Sequence, residues 1–322
     1  MTSERKRNLI NKVNVYRSVL ILAIICIVAS FLSSSFLSVN NFFNVIKQIT
    51  VAGIVGGGMT FVILTGGIDL SVGSIVGLAG AVGAGVLSTT DNVALALTVT
   101  LAIGLLCGLA NGFLVAQWEI PPFIATLGTM TLLRGCVLVY TKGAPIPVKN
   151  DAFKFIGKGD VLGIPLPIII LLALFLVAHF ILTQTAYGRS IYAFGGNKEA
   201  ARLSGINTAN WKVATYVLNG FFLGMAGIMY AGAYTTITPG TGTGLEMHGI
   251  TGVIIGGTSM AGGSGTMVGT LIGVFIMSVL KTGLSACGLQ APWQTFLTGV
   301  VVIGAVVMDN YRTQAASKVK KG

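Results

Sequence analysis

Long apolar runs recur along almost the whole chain, and they constrain its fold more than any other feature. Stretches long enough for a bilayer-spanning helix, which needs roughly 20 residues, follow one another between Arg17 and Asp309. Charged residues make up only 9% of the 322 residues, whereas a soluble domain averages about 25%, and the mean hydropathy is +0.86. The sequence therefore predicts an all-α, polytopic transmembrane helical bundle.

These runs predict about ten crossings, with eight as the lower bound. The approximate ranges are 17–37, 43–65, 68–88, 93–116, 122–141, 164–183, 211–233, 248–262, 265–284 and 292–309. The eighth range is short for a span, so we expect a broken or re-entrant helix there. The basic residues before the first range resemble the start of a signal peptide, but the many ranges that follow favour an uncleaved first helix.

The distribution of Lys and Arg predicts the orientation. Ten crossings place both termini on one side of the membrane, and thirteen basic residues lie on the two tails and the 184–212 loop, against four in the 142–163 loop. Because cytoplasmic loops carry the excess of basic residues, we expect both termini and the 188–212 loop to be cytoplasmic. The same bias explains the net charge of +11 without a nucleic-acid partner. The predicted divisions are a tail (1–16), a transmembrane domain (17–309) and a basic tail (310–322).

The loop after the sixth range is the longest polar interruption, and it predicts a short exposed helix. Gly195 and Gly196 allow a sharp turn, and Asn197 is a good N-cap. Lys198–Ser204 would form about two turns, which Gly205 can close in the left-handed conformation. An isolated helix this short is marginal in water, so flanking helices or a partner must hold it. We interpret it as a docking helix.

Catalytic and metal-binding patterns are not recognisable in the chain. Its two histidines, His179 and His248, lie in or beside apolar ranges, and its four cysteines lack the spacing of metal ligands. The phosphate-binding pattern G-x-x-x-x-G-K-[ST] is also missing from the sequence. We therefore predict no catalytic residue, no metal site and no ATP hydrolysis by this chain.

One carboxylate and one guanidinium lie in apolar surroundings. Asp69 follows Gly66 and Gly67, which interrupt a helix, and Arg134 lies within the fifth range. A charge at membrane depth costs about 2.5–3.5 kcal/mol on insertion scales, so a partner is expected. The sequence predicts an intramembrane Asp69–Arg134 ion pair, which either locks the structure or contacts a substrate.

Further glycines and polar side chains suggest a pathway. Gly262 and Gly263 predict a second helix break, like that at Gly66 and Gly67. Hydroxyl and amide groups within the apolar ranges could line a path for a small polar molecule, although such groups also bond helix backbones to one another. The candidates are Asn111, Thr126, Thr129 and Asn219.

Four stretches in order carry a family resemblance. They are GMTFVILTGGIDLSVGS (58–74), PPFIATLGTMTLLRG (121–135), GRSIYAFGGNKEAARLSGI (188–206) and GGTSMAGGSGTMVGTLIG (256–273). With them, the chain resembles the membrane permease of bacterial ATP-binding-cassette sugar importers of the ribose type, over about residues 42–310.

The resemblance implies an assembly. A second permease subunit, either an identical copy or a related paralogue, would pair with this multi-pass chain in the lipid of the bacterial cytoplasmic (inner) membrane. A cytoplasmic ATPase would bind ATP and Mg²⁺, and a periplasmic or lipid-anchored binding protein would deliver the sugar. No cofactor is expected in this chain. The run implied to contact the ATPase, here called the coupling segment, comprises Gly195, Gly196, Asn197, Lys198, Glu199, Ala200, Ala201, Arg202, Leu203, Ser204 and Gly205.

The resemblance implies uptake of a monosaccharide, either a ribose-like pentose or a hexose. A nucleoside or a furanosyl signalling molecule is the alternative ligand for the same machinery. An ion-coupled secondary transporter is the alternative from another class. It would need a relay of intramembrane carboxylates or histidines, for which Asp69 is the one plausible member.

Overall fold

Helices dominate the computed structural model, which describes residues 20, 22–24, 26–27, 30–31 and 34–319. A 3₁₀ helix, Ser34–Leu37, precedes the numbered elements. The helices are α1 (Val39–Leu64), α2 (Val72–Thr90), α3 (Val93–Ala116), α4 (Pro122–Thr141), α5 (Asp151–Lys158), α6 (Leu166–Gln184), α7 (Ala186–Gly196), α8 (Lys198–Leu203), α9 (Thr208–Tyr234), α10 (Leu245–Ile255), α11 (Met267–Ala286) and α12 (Ala291–Val319). The short strands are β1 (Ile146–Pro147), β2 (Asp160–Val161), β3 (Ile164–Pro165) and β4 (Thr236–Ile237).

Eight of the described helices are long and apolar enough to cross a membrane, which confirms the polytopic bundle. They are α1, α2, α3, α4, α6, α9, α11 and α12. The predicted tail 1–16 and part of the first predicted crossing, 17–37, lie outside the described residues. The eighth predicted crossing, 248–262, contains the 11-residue helix α10 and then an irregular loop, so this range holds no full-length span.

The bundle has two distinct ends. At one, called the strand end, β1 pairs antiparallel with β4, and α5 lies in the connection from α4 to α6. Asn150 caps α5 there, and its side-chain amide donates to Asp91 at the end of α2. At the other, called the α8 end, the chain leaves α6 through α7 and α8 and returns into α9.

Helix α1 forms the centre of the bundle. Its second half is fully enclosed, with Ile54, Val55, Met59 and Phe61 showing no exposed surface. It packs against α9, α11, α10 and α6. By contrast, α4 and α12 expose most of their apolar surface, so they form the outside of the protomer.

Helices α3 and α9 meet through glycines spaced four residues apart. A Cβ on Gly104 would lie 2.9 Å from the Cα of Gly224, and a Cβ on Gly108 would lie 2.9 Å from the Cα of Gly220. Small residues at this spacing let helix backbones touch, which is how membrane helices gain packing energy without a hydrophobic driving force.

A similar glycine contact fixes the short helix α10 against α11. A Cβ on Gly273 would lie 2.6 Å from the amide of Gly256, and one on Gly252 would lie 3.0 Å from the Cα of Val274. Because α10 is only 11 residues long, the loop 256–266 covers the remaining distance to the α8 end.

Candidate functional site

The structure has a short helix, α8, at the position where the sequence predicts a docking helix. The side chain of Asn197 accepts a 3.0 Å hydrogen bond from the amide of Ala200, as an N-cap should. Gly205 ends the turn at φ +81°. Ala201 is the buried residue of this helix, whereas Leu203 is 83% exposed. A capped helix with an exposed apolar residue is presented at the α8 end.

Gly195 and Gly196 do not form the turn predicted for them. Both lie in the last turn of α7 without positive φ, and the backbone turns at the extended residue Asn197 (φ −159°, ψ 104°). A Cβ on Gly195 would lie 2.6 Å from the amide of Gly263 and closer still to the carbonyl oxygen of Leu64. A Cβ on Gly196 would meet nothing within 4 Å. Glycine at 195 therefore allows a close approach rather than a turn.

The two predicted helix breaks, at residues 66–67 and 262–263, lie against each other and against Gly195. The amide of Gly263 donates a 2.9 Å hydrogen bond to the carbonyl of Leu64, the last residue of α1. Gly66 (φ +66°) and Gly262 (φ +87°) are left-handed, and a Cβ on Gly262 would lie 2.9 Å from the amide of Gly66. Three distant segments thus touch backbone to backbone. The contact between residues 64–67, 195–196 and 262–265 is called the glycine junction.

Two tyrosines of α7 fasten the junction and its surroundings. The hydroxyl of Tyr192 donates a 2.8 Å hydrogen bond to the carbonyl of Gly265. The hydroxyl of Tyr187 lies 3.0 Å from that of Thr215 on α9; burial raises the pKa of Tyr187, and this hydrogen bond partly offsets the rise. Sequence reasoning missed both residues. Tyr192 lies three residues before Gly195, and residues three apart lie on the same face of a helix. The predicted role of Gly195 could therefore have pointed to Tyr192 as its neighbour on that face.

Beneath α8 the packing is loose. A cavity of about 270 Å³ separates α8 from the connection between α3 and α4, with Glu119, Pro121, Phe194 and Arg202 among its lining residues. Helix α8 is therefore not packed against the bundle along this side.

Asp69 lies fully buried in the loop between α1 and α2, residues 65–71, which is called the Asp69 loop. Its Oδ1 accepts from the amide (2.9 Å) and the hydroxyl (2.6 Å) of Ser71, and its Oδ2 accepts from the side-chain amide of Asn219 (2.8 Å). Asn111 donates to the Ser71 hydroxyl at 2.8 Å. Three donors stabilise the carboxylate without a basic partner.

The predicted pair between Asp69 and Arg134 is therefore corrected. The guanidinium of Arg134 donates to the carbonyl oxygens of Thr241 (2.7 Å) and Pro239 (3.4 Å) in the loop between β4 and α10. Within the described ranges, the ion pairs are Lys154–Asp151 and Arg202–Glu199, both outside the spans. The carboxylate and the guanidinium each find neutral partners nearer in space.

The predicted path residues are mostly buried and bonded within the protein. Thr126 accepts from the amide of Leu70 (3.1 Å) in the Asp69 loop, and Thr129 donates to the carbonyl of Thr126 (3.1 Å). Asn111, Thr126 and Asn219 have no exposed surface. Asn111, Thr126 and Asn219 thus hold the Asp69 loop. Tyr216, which the sequence did not single out, also holds it, because its hydroxyl donates a 3.0 Å hydrogen bond to the carbonyl of Ile68.

Over the described residues, no three side chains of His, Cys, Asp or Glu come together as a metal-binding group.

Comparison with known proteins gives a consistent result. Residues 41–306 match the family model described as the branched-chain amino acid transport system / permease component. The ribose import permease protein RbsC of Escherichia coli strain K12 is 42% identical over 298 residues, which cover 91% of this chain and 93% of that protein. RbsC of Bacillus subtilis is 41% identical, covering 91% of each chain. The xylose transport system permease protein XylH of E. coli is 33% identical, covering 94% of this chain and 93% of XylH.

Proposed function

Because this chain belongs to the family of permease components of the branched-chain amino acid transport type, we propose that it is the membrane-spanning subunit of an ATP-driven, binding-protein-dependent importer for a monosaccharide. The observation that carries the proposal is the exposed, capped helix α8, whose neighbour α7 contacts α1 and the 256–266 loop through the glycine junction. Relatives named for ribose and xylose support a pentose as the substrate. A nucleoside or a furanosyl signalling molecule is the alternative ligand.

The assembly consists of two permease subunits, two cytoplasmic ATP-binding-cassette domains and a periplasmic or lipid-anchored binding protein. ATP and Mg²⁺ bind to the ATPase. The large exposed apolar surfaces of α4 and α12 are available for lipid and for the second permease, which is either a second copy or a paralogue.

The mechanism is a rigid-body displacement. Closure of the ATPase domains pushes the coupling segment. The movement passes from Gly195 into the end of α1 and into the loop between α10 and α11, since these backbones are in contact. Rocking of these elements exposes a central path alternately to the two sides of the membrane.

Transport in proteoliposomes tests the proposal. The chain would be reconstituted with its ATPase and its binding protein, and uptake of radiolabelled D-ribose, D-xylose and L-leucine would be measured with and without ATP. We expect pentose uptake that needs ATP, persists when the proton gradient is collapsed, and is not matched by leucine. Uptake by the chain alone, or uptake abolished by collapsing the gradient, would contradict the proposal.

We further propose that both termini and the coupling segment face the cytoplasm, because basic residues concentrate on these parts of the chain. A cysteine introduced at Ser204, which is exposed in the structure, would be challenged with a membrane-impermeant thiol reagent in a background without the four native cysteines. Labelling is expected in inverted vesicles, and labelling in intact spheroplasts would reverse the orientation.

A further inference from the structure

A polar cavity lies at the strand end of the bundle, apart from the glycine junction and the Asp69 loop. It has a volume of about 170 Å³ and lies between α1, the end of α9, the start of α10 and the last part of α11. Its polar lining side chains include Gln48, Tyr230, Tyr234, His248, Ser278 and Lys281. One water molecule needs about 10–15 Å³ of such a cavity, so there is room for several waters or one small polar group.

Lys281 brings a positive charge into this cavity. Its Nζ lies 3.4 Å from Nε2 of His248, and because an ammonium can only donate, the imidazole nitrogen is the acceptor. The lining contains neither Asp nor Glu, and both ion pairs within the described residues lie elsewhere. A charge among membrane helices is costly unless a partner compensates it. The cavity therefore favours a negatively charged occupant.

The other lining groups suit an oxyanion as well. The hydroxyls of Tyr230 and Ser278 and the amide of Gln48 can each donate a hydrogen bond. The rings of Tyr230 and Tyr234 lie against each other with centroids 4.4 Å apart and planes tilted by 32°. Tyrosine and lysine near the ends of membrane helices are typical of the level of the lipid headgroups.

We propose that this cavity binds one phosphate group, with Lys281 as its charge partner. The position at the end of the helices favours the phosphate of an anionic phospholipid, and a soluble phosphate would offer the same chemistry. None of the lining residues belongs to the coupling segment, the Asp69 loop or the glycine junction, so the proposal does not rest on the importer function.

Lipid-dependent thermal unfolding of the purified chain tests this site. The unfolding temperature would be measured in detergent after adding dioleoyl phosphatidylglycerol, dioleoylglycerol without phosphate, or inorganic phosphate. We expect phosphatidylglycerol to raise the unfolding temperature, and its apparent affinity to fall about tenfold or more in Lys281→Met, as suits the loss of a charge-assisted contact. Lys281→Arg should retain the effect because it keeps the charge.

Lys47→Met is the matched control, because Lys47 precedes Gln48 on α1 and does not line the cavity. Stabilisation by inorganic phosphate that depends on Lys281 would also support the site and would assign a soluble phosphate as the occupant. Equal stabilisation by dioleoylglycerol and phosphatidylglycerol would overturn the proposal. So would equal stabilisation of Lys281→Met and Lys47→Met by phosphatidylglycerol together with equal stabilisation of the two variants by inorganic phosphate. If Lys281→Met does not fold, the double variant Ser278→Ala, Tyr230→Phe replaces it in the test. Unaltered phosphatidylglycerol binding by this double variant would overturn the proposal.

Discussion

The amide of Gly263 donates a hydrogen bond to the carbonyl of Leu64, and this single bond joins the end of the central helix α1 to the loop before α11. A helix leaves its last carbonyls without partners inside the helix, so they need other donors. Here a distant glycine supplies one, and Gly195 of α7 packs on the same atoms. Under the proposed mechanism, a displacement of residues 195–196 would reach α1 directly, without an intervening side chain.

We expect Gly195→Ala to disturb the glycine junction. The added methyl would collide with the Leu64 carbonyl and the Gly263 amide, both backbone groups that cannot rotate away. Overpacking of this kind costs about 1–3 kcal/mol, so the apparent unfolding temperature of the purified chain should fall. The control is Gly196→Ala, whose methyl meets nothing within 4 Å; an equal loss of stability in both variants would contradict the close contact at residue 195.

Ala200→Arg should uncouple transport from ATP hydrolysis without unfolding the chain. Ala200 is exposed on α8, so the larger side chain leaves the bundle intact but obstructs a docked ATPase. Uptake of the sugar in proteoliposomes should fall about tenfold or more, as for a central interface residue, with an unchanged unfolding temperature. Wild-type uptake would exclude α8 from the docking surface.

Removal of the Asn197 cap should weaken the coupling segment. Asn197→Ala deletes the acceptor for the Ala200 amide and should cost about 1 kcal/mol of local helix stability. Faster amide hydrogen exchange across residues 198–203 would report the loss. Asn197→Asp keeps a side-chain oxygen and should restore protection, and a failure of this rescue would indicate that the cap is not the cause.

The Asp69 loop should depend on Asn219 and not on Arg134. Asn219→Leu leaves one carboxylate oxygen of Asp69 without its 2.8 Å partner, and an unsatisfied buried group costs about 1–3 kcal/mol, or more when charged. The unfolding temperature should fall accordingly. Exchanging the two charges, with Asp69→Arg and Arg134→Asp together, should not restore the stability of the single variants. A restoring exchange would reinstate the ion pair.

The alternation of polar and apolar segments was sufficient to predict most of the helices. Apolar runs predicted the eight described spans to within a few residues, because a lipid bilayer requires each spanning segment to satisfy its own backbone and bury its side chains. The cap at Asn197 and the left-handed Gly205 were also predictable, since both follow from local chemistry within one turn.

The partners of Asp69 and Arg134 were not predictable, because they depend on which helices pack together. Two opposite charges in one apolar sequence suggest an ion pair, yet folding brings Asn219 to the carboxylate and the Thr241 carbonyl to the guanidinium.

Similarly, glycine at 195 could mean a turn or a close contact, and only the approach of Leu64 and Gly263 decides between them. The sequence determined which segments enter the membrane, since hydrophobicity acts residue by residue. The tertiary structure decided which polar groups meet, since a hydrogen bond requires two distant atoms to come within about 3 Å.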